Sequence, residues 1–552
     1  MNLENDDLEK IILKNAILHE GKADLKTIVN KMLGSHPELR GNVGELMKDL
    51  KPVIERINSL SLDQQVELVR GKYPDIIETK KPTEERRLPD LKNVRGKVVM
   101  RLAPSPSGPL HLGHSRMCIL NDEYVKRYGG ELILRIEDTN PNNIYKPAYE
   151  MIREDAEWLG VNVTQYLIQS ERMELYYERA RELIKMQYAY MCSCESEDFK
   201  KKLIKSEACP HRDLSVNESM ELFNKIVKEG PTGFPPVLVI KTDLKHPNPA
   251  IRDWIAFRYI KEKHPHTGSK YHFYPLMNFS VAIDDHELGL TNIIRGMDHL
   301  NNTERQKYIF KYFNWNLPEY FHYGLINIAD TILSTTTMRK GIQSGEFVGW
   351  DDVRLATLRA LKSRGYQPGT FRKYWIDSGL NDVNSEFSWE IFNSINKQFI
   401  DKIADRYFFV SDPVTIKVES SPETDVRIPL YPRDDSRGFR IHKIGSNPKL
   451  VVERKDLESL ANGVEIRLKD LYNIKKENGR FIYTGTENKG DRKKIIHWLQ
   501  EDSPNFKVVM PDASEFRGKI ERNGLNANGI IQFERFGFVN KKSVEFGLFL
   551  HK

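Results

Sequence analysis

The chain has 552 residues, of which 39% are apolar and 29% are charged, with 84 lysine and arginine residues against 78 acidic ones. This composition excludes general disorder, and the length predicts about three to five domains. The formal charge of +6 is too small to establish nucleic-acid binding. No apolar run approaches the roughly 20 residues that span a bilayer, and the acidic N-terminus lacks a signal-peptide core. We therefore expect a cytoplasmic protein without membrane contact.

Residues 1–80 are predicted to form a helical domain. Apolar residues recur at spacings of three and four in LEKIILKNAILHE and in VGELMKDLKPVIERINSL. Residues 81–96 are highly charged and contain Pro82 and Pro89, which predicts a linker.

A strand–loop–helix–strand pattern begins after this segment. KVVMRL (97–102) is β-rich, a Pro/Ser/Gly loop follows at 103–109, and ELILRIED (131–138) is a second buried strand. Such a βαβ unit predicts a Rossmann-like, doubly wound parallel sheet. We expect this domain to cover 97–345, with an insertion at about 185–275.

The remaining chain is predicted to change from helical to β structure. Residues 346–406 suit a helical connecting domain, and residues 407–552 show short β runs with frequent Gly, Pro and Asn, which suits β-barrels. The predicted fold is multidomain α/β, with a helical domain before the parallel sheet and β-barrels after it.

A pair of histidines stands at the junction between the first loop and its helix. His111 and His114 share one helical face, and helix N-termini favour phosphate. Gly113 lies between them, and Pro104 and Ser105 belong to the preceding loop. Two such histidines alone are more often an ordinary helix start.

The longer string RLAPSPSGPLHLGH (101–114), followed by LRIEDTNP (134–141), resembles the "HIGH" nucleotide signature of class I aminoacyl-tRNA synthetases. The APSPSG loop looks like the glutamyl branch, since glutaminyl enzymes usually show a PPEPNG-like loop. VAIDDHELGLTNIIRGMDHLNNTERQ (281–306) and IIQFERFGFV (530–539) also fit. The helical N-terminus and β-rich C-terminus are similar to the archaeal and eukaryotic form.

This resemblance implies a glutamate–tRNA ligase that uses ATP with Mg²⁺. It would form glutamyl-adenylate and pass the glutamyl group to the 3′ end of tRNA(Glu), with tRNA(Gln) as a further candidate. The ATP-binding residues would be Pro104, Ser105, His111, Gly113 and His114, with the two histidines also catalytic. A monomer is expected, and the anticodon would bind the C-terminal β region.

The second nucleotide signature of the family is a lysine-bearing loop. Its counterpart is ILSTTTMRKG (332–341), which has no lysine directly after Ser334. We expect Arg339 and Lys340 to supply the cations, and Ser334 and Thr335 to supply hydroxyl groups. An ordinary polar turn is the alternative.

The resemblance also implies an amino-acid pocket. Arg101 and Arg295 would bind the glutamate side chain, Glu137 the ammonium group, and Ser105 and Asn278 would add hydrogen bonds. Structural ion pairs are the alternative for the arginines. The family commonly has a tyrosine near Met277, so that Tyr274 or water takes its role, or the contact is lost.

A cysteine cluster suggests a metal site. Cys192 and Cys194 are followed by Cys209 and His211, and four cysteines in the whole chain exclude a disulfide-dense scaffold. Three thiolates and an imidazole suit tetrahedral Zn²⁺. Similar glutamyl enzymes carry a structural zinc in the insertion near the tRNA acceptor end. Buried cysteines beside a chance histidine are the alternative.

Basic and aromatic residues alternate in the C-terminal third. This pattern is typical of RNA-binding surfaces, although charge runs are more often plain solvated surface. The candidate tRNA contacts are Arg433, Arg437 and Arg440 beside Tyr431 and Phe439, and Arg492, Lys493 and Lys494 beside Trp498 and Phe506.

Three rival functions stay open. A glutaminyl-tRNA synthetase on the same scaffold would need no paired arginines for its amide substrate. A non-catalytic tRNA-binding protein derived from a synthetase would show degraded nucleotide motifs. A truncated paralogue that modifies a tRNA base would lack the C-terminal β region.

Overall fold

The computed structural model describes most of the chain in two compact units, Met1–Arg86 and Arg87–Lys552. The predicted contacts Arg433 and Arg492 and the first part of the predicted linker, residues 81–86, lie outside the described residues. The described ranges are 5–18, 21–25, 27–29, 32, 43–73, 87–94, 96–231, 233, 235–329, 331–432, 434–458, 460–487 and 493–552.

The regular structure of the first unit is helical. Ser61 begins the last of its helices with a side-chain bond to the Gln64 N–H. The buried carboxylate of Glu9, in the first helix, pairs with Arg56 of the second helix at 2.6 Å and with Lys72 of the third at 2.8 Å. The helices are α1 (Asn5–Leu18), α2 (Val43–Asn58) and α3 (Leu62–Lys72).

The second unit opens with three parallel strands and their crossover helices. Gly129 ends the first helix in the left-handed conformation, with φ of 64°. A Cβ on the next residue, Gly130, would lie 2.1 Å from the Val98 carbonyl oxygen, so the chain needs glycine there to enter the second strand. The elements are β1 (Val99–Leu102), α4 (Leu112–Tyr128), β2 (Glu131–Ile136), α5 (Ala148–Trp158) and β3 (Gln165–Ile168).

An insertion with a four-stranded antiparallel sheet follows. Its strand order is β4-β5-β6-β7, and aromatic side chains from the sheet and its helices form one core. The elements are α6 (Met173–Lys185), β4 (Ala189–Cys192), α7 (Ser196–Ile204), α8 (Val216–Glu229), β5 (Val237–Ile240), β6 (Trp254–Tyr259) and β7 (Phe273–Pro275).

The chain then returns to the parallel sheet. The Thr291 N–H donates to the Val99 carbonyl at 3.0 Å, which places the next strand beside β1. The parallel pairs β1-β2-β3 and β8-β9 lie side by side, with β8 next to β1, so the predicted Rossmann-like parallel architecture is confirmed. The elements are α9 (Met277–Glu287), β8 (Asn292–Gly296), α10 (Leu300–Tyr312), β9 (Glu319–Tyr323), β10 (Ile326–Asn327) and α11 (Thr335–Gln343).

A helical segment packs against the outside of α4. The indole N–H of Trp375 donates to Ser115 Oγ at 2.7 Å, and Arg372 forms an ion pair with the buried Asp122 at 2.6 Å. The elements are α12 (Leu358–Arg364), α13 (Pro368–Ser378), β11 (Ser385–Glu386) and α14 (Trp389–Ile400).

The C-terminal region forms two seven-stranded sheets, which confirms the predicted β-barrel class. One sheet has the order β12-β25-β26-β27-β23-β24-β13. Its two edge strands, β12 and β13, are separated in the chain by Phe408 alone, so the sheet nearly closes into a barrel. The other has the order β21-β18-β19-β20-β14-β17-β22, with β15 and β16 as a separate hairpin.

These elements are β12 (Asp405–Tyr407), β13 (Phe409–Ser411), β14 (Pro413–Glu419), β15 (Thr424–Pro429), β16 (Phe439–Ile444), β17 (Lys449–Glu453), α15 (Arg454–Glu458), β18 (Glu465–Leu468), β19 (Asn473–Glu477), β20 (Arg480–Gly485), β21 (Lys494–Ile496), β22 (Leu499–Gln500), β23 (Asn505–Val509), β24 (Glu515–Ile520), β25 (Gly529–Phe533), β26 (Gly537–Lys541) and β27 (Phe546–His551). Within the described parts of the chain, no helix is long and apolar enough to cross a bilayer.

Several predicted RNA-stacking residues are instead structural. Trp498 and Phe506 are 1% and 2% exposed and lie in the cores of the two sheets, so the prediction that they stack on bases is wrong. Tyr431 is buried beneath the guanidinium of Arg437, which donates to the carbonyls at the end of the helical segment. Arg437, with Tyr431 packed against it, therefore joins the C-terminal region to the preceding helical segment.

Arg440 is also a structural residue. Its guanidinium is 1% exposed and pairs with Glu521 at 2.8 Å and Glu534 at 3.3 Å, so it joins the hairpin to the other sheet. Lys493 and Lys494 pair with Glu465 and Asp456 at 2.6 and 3.2 Å. The predicted RNA contact is therefore wrong for Arg440.

Replacing Arg440 with methionine is expected to destabilise the barrels by about 3 kcal/mol, because the buried Glu521 and the largely buried Glu534 carboxylates lose their shared cation. Denaturant unfolding followed by the intrinsic fluorescence of the seven tryptophans measures the loss. Arg480→Met removes an arginine that is 73% exposed and is expected to change stability by less than about 0.5 kcal/mol. Equal effects of the two substitutions would contradict the structural role.

Candidate active site

A cavity of about 230 Å³ lies where the parallel strands end. Arg101 lies near the end of β1, Glu137 follows β2 and Arg295 lies in β8, and all three line the cavity. The carboxyl edge of such a sheet is where α/β proteins bind ligands. The predicted residues on its wall are Arg101, Pro104, Ser105, Gly113, His114, Glu137 and Arg295.

The two histidines are stacked at the start of α4. Their ring centroids are 3.6 Å apart, and the backbone N–H of His111 donates to Nδ1 of the His114 ring at 3.4 Å. Burial lowers the pKa of His114 to about 4 and that of His111 well below its ordinary value. Both imidazoles are therefore uncharged at neutral pH, and His114, which accepts at Nδ1, carries its proton on Nε2.

Only His114 of this pair lines the cavity, with Gly113 beside it. A Cβ on Gly113 would lie 3.1 Å from the His111 ring. A larger residue would therefore press on the stacked His111 ring, and glycine also permits close approach of a ligand to the backbone.

The second nucleotide loop meets the first one directly. Ser107 Oγ and Thr335 Oγ1 are 2.7 Å apart. Ser334 begins α11, and its hydroxyl accepts from the Thr337 N–H at 3.3 Å. Ser334 and Thr335 therefore lie beside the nucleotide loop, outside the wall of the cavity itself.

Arg339 lies at the middle of α11 and Lys340 in its last turn. Lys340 is exposed and Arg339 half-buried. Neither side chain has an ion-pair partner among the residues that the structure describes. Both cations are therefore available to an anion that approaches this loop.

The cavity wall carries two arginines whose charges are poorly neutralised. Arg101 is 6% exposed, and its nearest carboxylate, Asp285, lies 3.9 Å away. Burial, with Arg295 nearby, lowers the pKa of Arg101 to about 10 despite the opposing field of Asp285. Arg295 donates to the side-chain oxygen Oε1 of Gln306 at 2.8 Å and has no acidic partner within the described chain. This arrangement favours an anionic ligand over structural ion pairs.

Arg135 organises the acidic side of the cavity. It is fully buried and pairs with Glu137 at 2.9 Å and with Asp285 at 2.7 Å. Glu137 is thereby held at the cavity wall, and Asp285 faces both Arg135 and Arg101. The sequence interpretation missed Arg135 and Asp285. An arginine inside an otherwise apolar strand was the available signal for the first of them.

The wall near Met277 differs from the expectation. Met277 lines the cavity, whereas Tyr274 is buried elsewhere and donates its hydroxyl to the Tyr271 carbonyl at 3.0 Å. Tyr274 therefore does not take the role of the missing tyrosine. Asn278 stands behind the wall, where its carbonyl accepts from Gln306 at 3.4 Å.

Several wall residues were not anticipated, among them Gly296, His299, Gln306 and Tyr323. Gly296 and Tyr323 end β8 and β9. The rule that ligands meet the carboxyl ends of parallel strands would have indicated both, had β9 been recognised.

The predicted metal ligands converge at one point of the insertion. The ligand atoms of Cys192, Cys194, Cys209 and His211 all lie within 4.8 Å of one another. Cys209 Sγ is 3.3 Å from each of the other two sulfurs and 3.4 Å from His211 Nδ1. A tetrahedral zinc with bonds of about 2.3 Å needs ligand separations of about 3.8 Å, so one ion fits this group after a small adjustment.

Comparison with known proteins agrees with this architecture. Residues 97–402 match the model of the tRNA synthetases class I (E and Q), catalytic domain, and residues 404–488 match the anti-codon binding domain of the same class. The first match alone covers more than half of the chain. The chain belongs to this family.

Relatives of this synthetase are similar over nearly their whole length. A protein of Thermoplasma volcanium named glutamate–tRNA ligase is 50% identical over 97% of both chains. Proteins of the same name from Pyrococcus horikoshii and Methanocaldococcus jannaschii are each 43% identical, over 98% and 96% of both chains.

Proposed function

We propose that this class I synthetase is a glutamate–tRNA ligase. The observation that carries the proposal is the pair of buried arginines on the cavity wall, Arg101 and Arg295. A side-chain carboxylate satisfies both, whereas the amide of glutamine would leave their charges uncompensated. A glutaminyl enzyme and a non-catalytic tRNA-binding protein are both disfavoured by this wall.

Each polar group of glutamate has a proposed partner. Arg101 and Arg295 bind the side-chain carboxylate, and Glu137 binds the ammonium group. Ser105 adds a hydrogen bond from the nucleotide loop, and Asn278 acts through Gln306. The support is that Arg101, Ser105, Glu137 and Arg295 surround one cavity and Asn278 lies directly behind it.

We propose that ATP, accompanied by Mg²⁺, lies between the two nucleotide loops. Pro104, Ser105 and Gly113 form its floor, and His111 and His114 stand at the helix start, where N–H groups favour phosphate. Ser334 and Thr335 add hydroxyl groups from the opposite loop, and Arg339 and Lys340 add cations. The nearness of Ser107 to Thr335 supports this placement.

The activation step on these residues needs no general base. The α-carboxylate of glutamate, already ionised, attacks the α-phosphorus of ATP; the new P–O bond forms as the bond to pyrophosphate breaks. Catalysis is positioning together with stabilisation of the charge on the leaving group. A terminal ribose hydroxyl of tRNA then attacks the glutamyl carbonyl; the ester bond forms as the bond from the carbonyl carbon to the adenylate oxygen breaks, and AMP leaves with the hydroxyl proton on its phosphate.

We further propose the division of labour along the chain. Residues 97–345 activate glutamate, and the insertion at about 185–275 faces the tRNA acceptor end. Residues 346–406 connect this domain to residues 407–552, which bind the anticodon of tRNA(Glu), with tRNA(Gln) as a second candidate. The helical residues 1–80 and the linker 81–96 precede these parts, and the protein acts as a cytoplasmic monomer.

Glutamate-dependent exchange of pyrophosphate into ATP tests the activation step. We expect exchange with glutamate, little with glutamine, and a requirement for tRNA, as is usual in this family. Exchange that prefers glutamine, or no exchange with either amino acid in the presence of tRNA, would refute the proposed activity.

We propose that the three cysteines and His211 hold a structural Zn²⁺, since four protein ligands leave no open position. The purified protein is expected to contain about one zinc per chain, and Cys209→Ser to lose most of it. Cys118→Ala is the matched control, because Cys118 is buried in α4 outside this cluster. Zinc near zero with four free thiols would contradict the site.

A further inference from the structure

A buried carboxylate stands behind the nucleotide loop at a place that local structure disfavours. Asp155 is 4% exposed and lies in the last turn of α5. Aspartate is a poor helix former, and the helix dipole opposes negative charge at this end. Burial of the carboxylate costs further free energy unless it is hydrogen-bonded. A buried carboxylate at this position is therefore expected to have a specific hydrogen-bond partner.

That partner is the backbone just before the histidine pair. Asp155 Oδ2 accepts the N–H of Leu110 at 2.9 Å. Leu110 is 2% exposed, so its N–H would otherwise be a buried donor without an acceptor. The bond is made to the residue that directly precedes His111.

The other edge of the same segment is held by the chain before α12. The Leu358 N–H donates to the Leu110 carbonyl, and the Leu112 N–H donates to the Ala356 carbonyl, both at 2.9 Å. Residues 110–112 are thus hydrogen-bonded on two sides. On one side the partner is the Asp155 side chain, and on the other it is the backbone of residues 356–358.

Asp155 also joins α5 to α12. Its Oδ1 lies 3.5 Å from Arg359 Nε, while Arg359 contacts Glu154 through its other end. Glu154 is 53% exposed at its side chain and, among the described residues, makes no hydrogen bond to the loop. Two neighbouring carboxylates therefore share one arginine, and Asp155 alone reaches the backbone of the nucleotide loop.

We propose that Asp155 is a positioning residue of the ATP site, whose carboxylate sets the depth and orientation of His111 and His114 by fixing the Leu110 backbone. This inference rests on the proposed function, because it assigns the histidine pair to ATP. Asp155 touches no substrate and acts through the loop. A shift of the histidines by about 1 Å is enough to cost up to 100-fold in rate.

The charge on Asp155 is sensitive to pH near neutrality. Burial raises its pKa to about 6; Arg359, the Leu110 N–H and Lys362 oppose this shift, and Glu154 adds to it. Cys118 faces it from α4, with a thiol whose pKa burial raises. The carboxylate is therefore ionised above about pH 6 and protonated below it. Protonation weakens its hydrogen bond to the Leu110 N–H and its ion pair with Arg359.

Steady-state pyrophosphate exchange with Asp155→Ala tests the role. We expect KM for ATP to rise about tenfold and kcat to fall, while KM for glutamate changes less than about twofold. Glu154→Gln is the matched control, since it removes charge beside the same arginine without touching the loop, and it should behave as the wild type. Parallel rises in both KM values, or an Asp155→Ala enzyme that matches the control, would overturn the proposal.

Asp155→Asn keeps the side-chain volume and carries the test if the alanine variant does not fold. The ratio of wild-type activity to that of the Asp155→Asn enzyme is expected to be largest at about pH 7.5 and to fall towards one below about pH 6, because the wild type then loses its charge as well. A ratio independent of pH would contradict the proposal. Absence of glutamate-dependent exchange in the wild type would instead count against the proposed function, so the two failures are distinct.

Discussion

Lys340→Ala and Arg339→Ala are each expected to lower the rate of glutamate activation by about 100-fold. The transition state gathers negative charge on the leaving pyrophosphate, and loss of one well-placed cation or donor typically costs about 2.7–4 kcal/mol. Both side chains lack an acidic partner within the described chain, so their charge is free for the triphosphate. Exchange assays at saturating ATP, with tRNA present, measure the effect on kcat.

The control for this pair is Gln343→Ala, an exposed polar residue at the end of the same helix. It should leave exchange within about twofold of the wild type, because it removes no charge. Near-normal rates in both Arg339→Ala and Lys340→Ala would remove the cationic role from α11. The cation would then have to come from another part of the chain.

Arg101→Met is expected to lower kcat/KM for glutamate by about 100-fold or more, with KM for ATP almost unchanged. A charge-assisted hydrogen bond contributes roughly 1.5–3 kcal/mol, and a bidentate pair makes two of them. Folding should survive, since Asp285 keeps its closer partner Arg135 at 2.7 Å. Varying glutamate and ATP separately in the exchange assay separates the two effects.

Arg153→Met is the matched control for this substitution, because Arg153 is 57% exposed and pairs only with Glu157 on its own helix. It should be indistinguishable from the wild type. An Arg101→Met enzyme that keeps its KM for glutamate would show that the carboxylate binds elsewhere. Equal losses for glutamate and ATP would indicate a general disturbance of the sheet edge.

The parts that could be predicted from the sequence are those in which local pattern decides the structure. The strand–loop–helix junction at 97–114 placed the histidines at a helix start because turn residues and hydrophobic periodicity are short-range signals. The cysteine–histidine cluster was likewise predictable, since Cys192 and His211 are only 19 residues apart. Both groups of residues converge in the structure.

The missed residues depend on partners that are distant in the sequence. Arg135 meets Asp285 across 150 residues, and Leu110 meets Asp155 across 45. Neither pairing has a local signature. They arise because the parallel sheet and its crossover helices bring separate strand ends and helices to one edge.

The errors in the barrels have a different physical origin. Alternating basic and aromatic residues are typical of RNA-binding surfaces. A strand with one face in a packed core and the other towards solvent shows the same alternation, because successive side chains point to opposite faces. Arg440 is buried between carboxylates, and Trp498 donates its indole N–H to the Lys469 carbonyl at 2.8 Å. Only the packing of the sheets decides which face meets solvent.

The most direct test of the central claim is aminoacylation of purified tRNA(Glu) with labelled glutamate or labelled glutamine, with tRNA(Gln) assayed separately. We expect glutamate to be joined to tRNA(Glu) at a catalytic rate, and glutamine to neither tRNA. Charging of tRNA(Gln) with glutamate would extend the substrate range without changing the pocket. Glutamine attached to tRNA(Gln), or no charging of tRNA(Glu) by glutamate, would contradict the assignment of Arg101 and Arg295 to a carboxylate.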